Sequence, residues 1–144
     1  MKGAAKTTMT TLVIMLVGGF LLWSMSDNWQ ASREQVSVQQ ELTERAAVYN
    51  RRPERLLTEQ LKFERVAVAE RQLTFFYSLP TVDRNRIAQA ELIDSLTEQM
   101  RTTVCQDPEF AFMRQHNVTI KFDYVDQNQR RIVQLSLPAG TSCN

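Results

Sequence analysis

The chain has 144 residues, with 17 Lys or Arg against 16 Asp or Glu and a formal net charge of +1. Beyond Lys2 and Lys6 the balance is 15 basic to 16 acidic side chains, which excludes a nucleic-acid surface, since phosphate binding needs clustered excess positive charge. Only 4 Gly and 4 Pro are present, so long loops and low-complexity tracts are excluded too, and the length leaves room for one small domain.

Residues 1–6 form a short basic N-terminus. From Thr7 to Ser26 there is no charged residue, and the stretch Leu12 to Trp23 is nearly all apolar. A helix of about twenty such residues spans roughly 30 Å, the thickness of a bilayer core. Lys2 and Lys6 before the run, Asp27 after it, and Trp23 and Trp29 at its far end predict a single pass through the bacterial inner membrane. On this reading residues 7–26 contact membrane lipid, the N-terminus is cytoplasmic and the C-terminal part is periplasmic. The competing reading is a signal peptide cut ahead of Asp27, for which Trp23 and Met25 make a poor cleavage region.

Residues 27–52 are polar and free of helix breakers, with Val38, Leu42, Ala46 and Tyr49 at helical spacing. A helical stalk is expected, acting as a solvated spacer or associating weakly with a second copy through its thin stripe. Arg51, Arg52 and Arg55, with Glu54 and Glu59 nearby, read as a solvated, locally paired face.

Residues 53–144 are the exported domain. Leu73, Phe75, Tyr77 and Leu79 alternate with Gln72, Thr74, Phe76 and Ser78, the period of a half-buried strand. For residues 54–71 a helix and a strand both fit. The strand needs a bulge near Glu64 and Arg65 to keep Leu61, Phe63, Val66 and Val68 on one face. Asp83 is a candidate cap for a helix running to about Cys105, whose apolar face carries Leu92, Ile93, Leu96, Met100 and Val104. Asp107-Pro108 opens a second short helix that buries Phe110 and Met113. Val118, Ile120, Phe122 and Tyr124, then the polar turn Asp126 to Gln129, then Val133, Leu135 and Leu137 predict an antiparallel hairpin. The fold class expected is α+β: a β-β-α-α-β-β domain with an antiparallel sheet of about four strands packed on helices.

From Gln72 onward the chain resembles a widespread group of small exported bacterial proteins. The resemblance rests on the strand Leu73 to Leu79, the long helix, the stretch Val104-Cys105-Gln106-Asp107-Pro108 and the strand Asn117 to Tyr124. Members of that group commonly carry Gly in the last turn, where this chain has Asn128-Gln129. The overall plan of a short protein with one span is also similar to entry-exclusion proteins of conjugative elements.

Two cysteines in an exported chain invite a bridge between Cys105 and Cys143, tying the tail to the end of the long helix. No Cys-x-x-Cys is present. The single histidine, His116, would need Cys105 or a serine and an orienting carboxylate beside it for nucleophilic chemistry, and it reads as a surface or helix-end residue. One His with two paired thiols does not make the usual metal ligand set. Glu91, Asp94 and Glu98 with Arg101 read as a charge ladder on the outer helix face. Catalytic, cofactor-binding and metal residues are therefore not expected, and no cofactor is implied. The candidate partner surface is the non-core face of the sheet, with Phe76 among Thr74, Thr119, Lys121, Gln134 and Ser136. The function expected is a non-enzymatic, membrane-tethered protein-interaction domain, an accessory subunit of a secretion, pilus or conjugation apparatus. The alternatives are an exclusion or immunity protein of a mobile element, and a periplasmic small-ligand or peptidoglycan sensor with an aromatic-lined pocket.

Overall fold

The computed structural model describes residues 32–52 and 56–143, with the backbone alone for 56–58. The expected span 7–26 and the N-terminus before it lie outside the described residues; among those described, no helix is long and apolar enough to cross a membrane. The chain divides into two compact units, Met1–Ser37 and Val38–Asn144. Of the first, residues 32–37 are described and helical, with Val36 exposed.

The second unit opens with helix α1 (38–51) and continues with strands β1 (Leu56–Thr58), β2 (Leu61–Ala69) and β3 (Gln72–Ser78). Helix α2 (Gln89–Gln106) is followed by a 3-10 turn (Pro108–Phe110), helix α3 (Ala111–Gln115), and strands β4 (Thr119–Val125) and β5 (Arg131–Pro138). The ambiguity over 54–71 resolves to strand from Leu56 onward. Pairing of β2 with β3 shifts register between Phe63 and Arg65, so the bulge restores Val66 and Val68 to the side that Phe63 faces.

The sheet has five strands in the order β1-β2-β3-β4-β5 and is mixed, which corrects the expected antiparallel sheet of about four strands. The pair β3–β4 is parallel, with Leu73 opposite Ile120, Phe75 opposite Phe122 and Tyr77 opposite Tyr124. Alternation fixes which face a residue takes but not the direction of the strand. Direction follows from the connection: residues 79–118 hold three helical elements, enough to carry the chain back to the starting end of the sheet. In-register parallel pairing sets like beside like, so Phe75 stacks on Phe122 at 5.5 Å and Tyr77 on Tyr124 at 5.4 Å between ring centroids. Such ring pairs contribute about 0.5–1.5 kcal/mol each beyond their buried area.

The helices cover one face of this sheet. Leu96, Met100 and Val104 of α2 are buried there with Phe110 and Met113, while Leu92 and Ile93 are half-buried. Asp83 does not cap α2. That helix starts five residues later than expected, after Ala88, and has no side-chain cap; Asp83 instead accepts the Asn85 amide and pairs with Arg130 at 2.8 Å. Asp107 does cap, accepting the Glu109 amide at 2.8 Å ahead of Pro108.

The stripe expected on a free stalk belongs to the core from residue 38 on. Val38, Leu42 and Ala46 are 2%, 0% and 5% exposed, and they join the cluster that contains Leu73, Phe75 and Ile120. A spacer helix would leave them in water, whereas burying a Leu or Val side chain stabilises the fold by roughly 1.5–3 kcal/mol. Asn50 then fastens the end of α1 to the sheet. Its amide donates to the Val66 carbonyl at 2.9 Å and accepts the Val66 N–H at 2.7 Å, completing that edge of β2 as a neighbouring strand would.

Candidate functional site

Packing three helical elements on a sheet leaves a groove of about 400 Å³ where α1, α2 and the 3-10 turn diverge over β2, β3 and β4. Its floor is aromatic, formed by Phe63, Phe75, Tyr77 and Phe122, which the bulge in β2 and the parallel register bring to one face. Met100 and Phe110 form the apolar walls. Among the described residues, the charged and amide or hydroxyl side chains other than the tyrosines stand at the lip: Arg52 just after α1, Gln99 and Thr103 from α2, and Asp107 and Glu109 from the turn and its cap. A smaller hollow of about 310 Å³ adjoins it along α1, bounded by Glu41, Glu44, Arg45 and Val48.

Three residues line both spaces and bond to one another. The Tyr49 hydroxyl donates to Glu109 Oε2 at 3.2 Å, and Arg52 Nη2 donates to Glu109 Oε1 at 3.3 Å. The Arg52 guanidinium also lies over the Tyr49 ring at 5.2 Å, a cation–π contact. Burial, then the Glu109 charge and hydrogen bond, push the Tyr49 hydroxyl up to about 12, against a smaller opposing pull from Arg52 and Arg45. Burial likewise pushes Tyr77 up. Both phenols stay neutral at physiological pH and act as hydrogen-bonding aromatic surface.

An aromatic-lined pocket was expected only under the small-ligand alternative, and its position was not, because the aromatics that form the groove are the residues assigned to the core. The local signal was the surplus of rings on the core face of three adjacent strands, more than α2 alone covers. Arg52, taken for part of a solvated cluster, is at the lip of the groove with a partner 57 residues away.

The sheet-face residues singled out earlier do come together. Thr74 pairs with Lys121, Lys121 with Ser136, Gln72 with Thr119, and Asp123 with both Phe76 and Gln134, all on the face opposite the aromatic floor. That face is tightly bonded internally. Arg65 caps Phe76 at 3.9 Å from the ring centroid, and Thr74 is buried. Gln134 donates to Asp123 at 3.1 Å beside a bidentate Arg131–Asp123 pair.

Cys105 in the last turn of α2 and Cys143 in the tail are at disulfide distance, their sulfurs 2.04 Å and their Cα atoms 5.4 Å apart. The tail reaches that position because Ala139 is buried with its N–H on the Val118 carbonyl, and Gly140 donates to Asn117 Oδ1 at 3.1 Å. A Cβ on Gly140 would lie 2.8 Å from that oxygen and 3.0 Å from the Arg114 carbonyl, so a larger residue would have to displace Asn117 from its bond to the tail. His116 packs its ring 4.5 Å from Phe112, and its carbonyl accepts from Arg71. Glu98 and Arg101 form an exposed ion pair. Among the described residues, no three His, Cys, Asp or Glu side chains are grouped to hold a metal ion.

No family model and no curated protein matches the chain. Solved structures do share its fold. A Pseudomonas aeruginosa protein inferred to be secreted superposes with a TM-score of 0.65 at 16% identity, over 76% of this chain and 96% of that one. The type II secretion pilotin EpsS of Vibrio vulnificus gives 0.63 at 12% identity, over 78% and 97%. The type II secretion pilotin AspS of Vibrio cholerae gives 0.62 at 11% identity, over 78% and 98%. The likeness therefore extends over nearly the whole of each neighbour and is one of fold; none of the three is described as an exclusion protein.

Proposed function

We propose that the domain is a non-enzymatic binding module, an accessory subunit of a secretion-type envelope assembly, and that it holds an apolar helical segment of a partner protein in the groove under α1 and α2. The groove carries this reading. An aromatic floor with apolar walls and polar groups confined to the lip is the arrangement that receives the apolar face of an amphipathic helix. The fold shared with two type II secretion pilotins supports the choice of assembly. In this reading residues 7–26 tether the domain to the inner membrane and the domain is periplasmic, a compartment in which cysteines at bonding distance remain oxidised.

The test is site-specific photocrosslinking in living cells, with the photoreactive residue at Gln99 on the groove lip or at Ser136 on the opposite sheet face. An adduct from Gln99 containing an envelope-assembly component, with none from Ser136, is the expected result. The reverse pattern would move the partner surface to the face of Thr74, Phe76, Thr119, Lys121 and Gln134. Absence of adducts at both positions would refute the binding-module reading.

A further inference from the structure

The groove and the hollow beside it share Tyr49, Arg52 and Glu109, which are bonded to one another. The trio therefore stands as a partition across one longer trough. Resting on the reading of the groove as a helix receptor, we propose that this trough selects an amphipathic helix of a partner protein with basic residues flanking its apolar face, and that the helix enters by taking Glu109 from Arg52.

Length and charge both point that way. From Glu41 to Arg52 the trough follows α1 for eleven residue steps, about 16 Å at the helical rise, which accommodates apolar anchors spaced at i, i+3, i+4 and i+7. Val48, 52% exposed, extends the apolar contact into the outer hollow. Among the described residues, the combined trough is lined by four carboxylates, Glu41, Glu44, Asp107 and Glu109, against two guanidiniums, Arg45 and Arg52. Both guanidiniums are already engaged. Arg45 pairs with Glu41 at 2.8 Å and lies over Phe112, while Arg52 holds Glu109 and covers Tyr49. The excess of two negative charges repels an acidic flank and is neutralised by a basic one.

The partition is made of exposed groups. Arg52 and Glu109 side chains are 42% and 48% exposed, and their 3.3 Å contact is of the surface kind that contributes little to stability. A Lys or Arg from the partner that reaches Glu109 exchanges one such pair for another. The released Arg52 side chain can then swing into solvent and leave the trough continuous.

The experiment uses the full chain in zwitterionic nanodiscs and two labelled peptides of about 18 residues that share one leucine face and differ only in Lys or Glu flanks. Anisotropy is read against empty discs. The Lys-flanked peptide is expected to bind about tenfold more tightly than the Glu-flanked one, with the gap narrowing as salt is raised. Glu109→Gln should remove most of that gap, whereas Arg52→Gln should tighten the Lys-flanked peptide by about threefold. Gln99→Trp, an exposed position on the groove lip, should weaken both peptides alike. Equal binding of the two peptides with Gln99→Trp still disruptive would overturn the selectivity and leave the helix receptor standing. No binding by either peptide, or binding indifferent to Gln99→Trp, would overturn both.

Discussion

Asp126, fully buried at the start of the β4–β5 turn, ties the turn to the loop before α2. Its oxygens accept from the Asn128, Arg130 and Arg84 amides and from the Arg130 guanidinium, which at the same time reaches Asp83. Burial alone would raise the carboxyl; the Arg130 amide, the Arg130 side chain and the other amides outweigh it and hold Asp126 well below the ordinary carboxylate range. Asp83 is lowered chiefly by the Asn85 amide. A depressed folded value means that the unfolded chain binds more protons as the pH falls, so the stabilisation is complete above the unfolded value of about 3.9 and is lost below it. The urea midpoint should therefore hold steady from pH 7 to about 5 and fall steeply below about 4. Asp126→Asn should lower the midpoint at pH 7 and flatten the acid limb; an unchanged acid limb would mean that other carboxylates set it. Tyr124 is a second buried polar residue, with the opposite balance. Its hydroxyl has no hydrogen-bond partner among the described residues, although its ring is buried and stacks on Tyr77. Tyr124→Phe should leave stability unchanged or raise it by up to about 1–2 kcal/mol in thermal or urea unfolding, since an unsatisfied buried hydroxyl costs that much.

At the scale of elements, α1 was the part of the sequence most open to misreading. Val38, Leu42, Ala46 and Tyr49 declare a helix with a thin stripe, but a stripe on a helix that follows an apolar run fits a stalk as well as a domain wall. What decides is the sheet beneath it, whose strands 56–69 were themselves ambiguous between helix and strand. Leu42→Ala should cost roughly 2–5 kcal/mol of domain stability by transfer and cavity terms. Val48→Ala, six residues on and exposed on another side of the helix, should change it by less than about 0.5 kcal/mol. Equal effects in urea unfolding would mean that α1 is not part of the cooperative core. The β4–β5 hairpin, the Asp107-Pro108 helix start and the α2 face of Leu96, Met100 and Val104 were all legible, because period and capping are local signals. The parallel β3–β4 pair and the groove were not, for both depend on how far apart three helical elements sit over the sheet. The β4–β5 turn shows the same limit on a small scale. Gln129 adopts a left-handed φ of 60° without being glycine, since Asp126 supplies the bonds that hold the turn.

Across the whole molecule, constraint is unevenly shared. The bridge between Cys105 and Cys143 spans 38 residues and encloses α3, β4 and β5, and in the chain-entropy model closing such a loop contributes roughly 4 kcal/mol. Cys105→Ser and Cys143→Ser should each destabilise the domain by a similar amount, up to about that figure, in urea unfolding without reductant. A costly Cys105→Ser beside a silent Cys143→Ser would mean that the thiol matters through packing alone. No covalent staple reaches α1, which adheres through Val38, Leu42, Ala46 and the Asn50 clamp on Val66. The two halves of the domain therefore differ mechanically. Tension applied at residue 38 would load α1 one turn at a time, peeling Val38 first, then Leu42 and Ala46, while the disulfide carried none of the strain. The turns that lift first border the outer hollow, and Tyr49 and Arg52, at the wall of the groove, lift last. Traction on α1 would thus act on the outer end of the trough before it reached the wall that Tyr49 and Arg52 form.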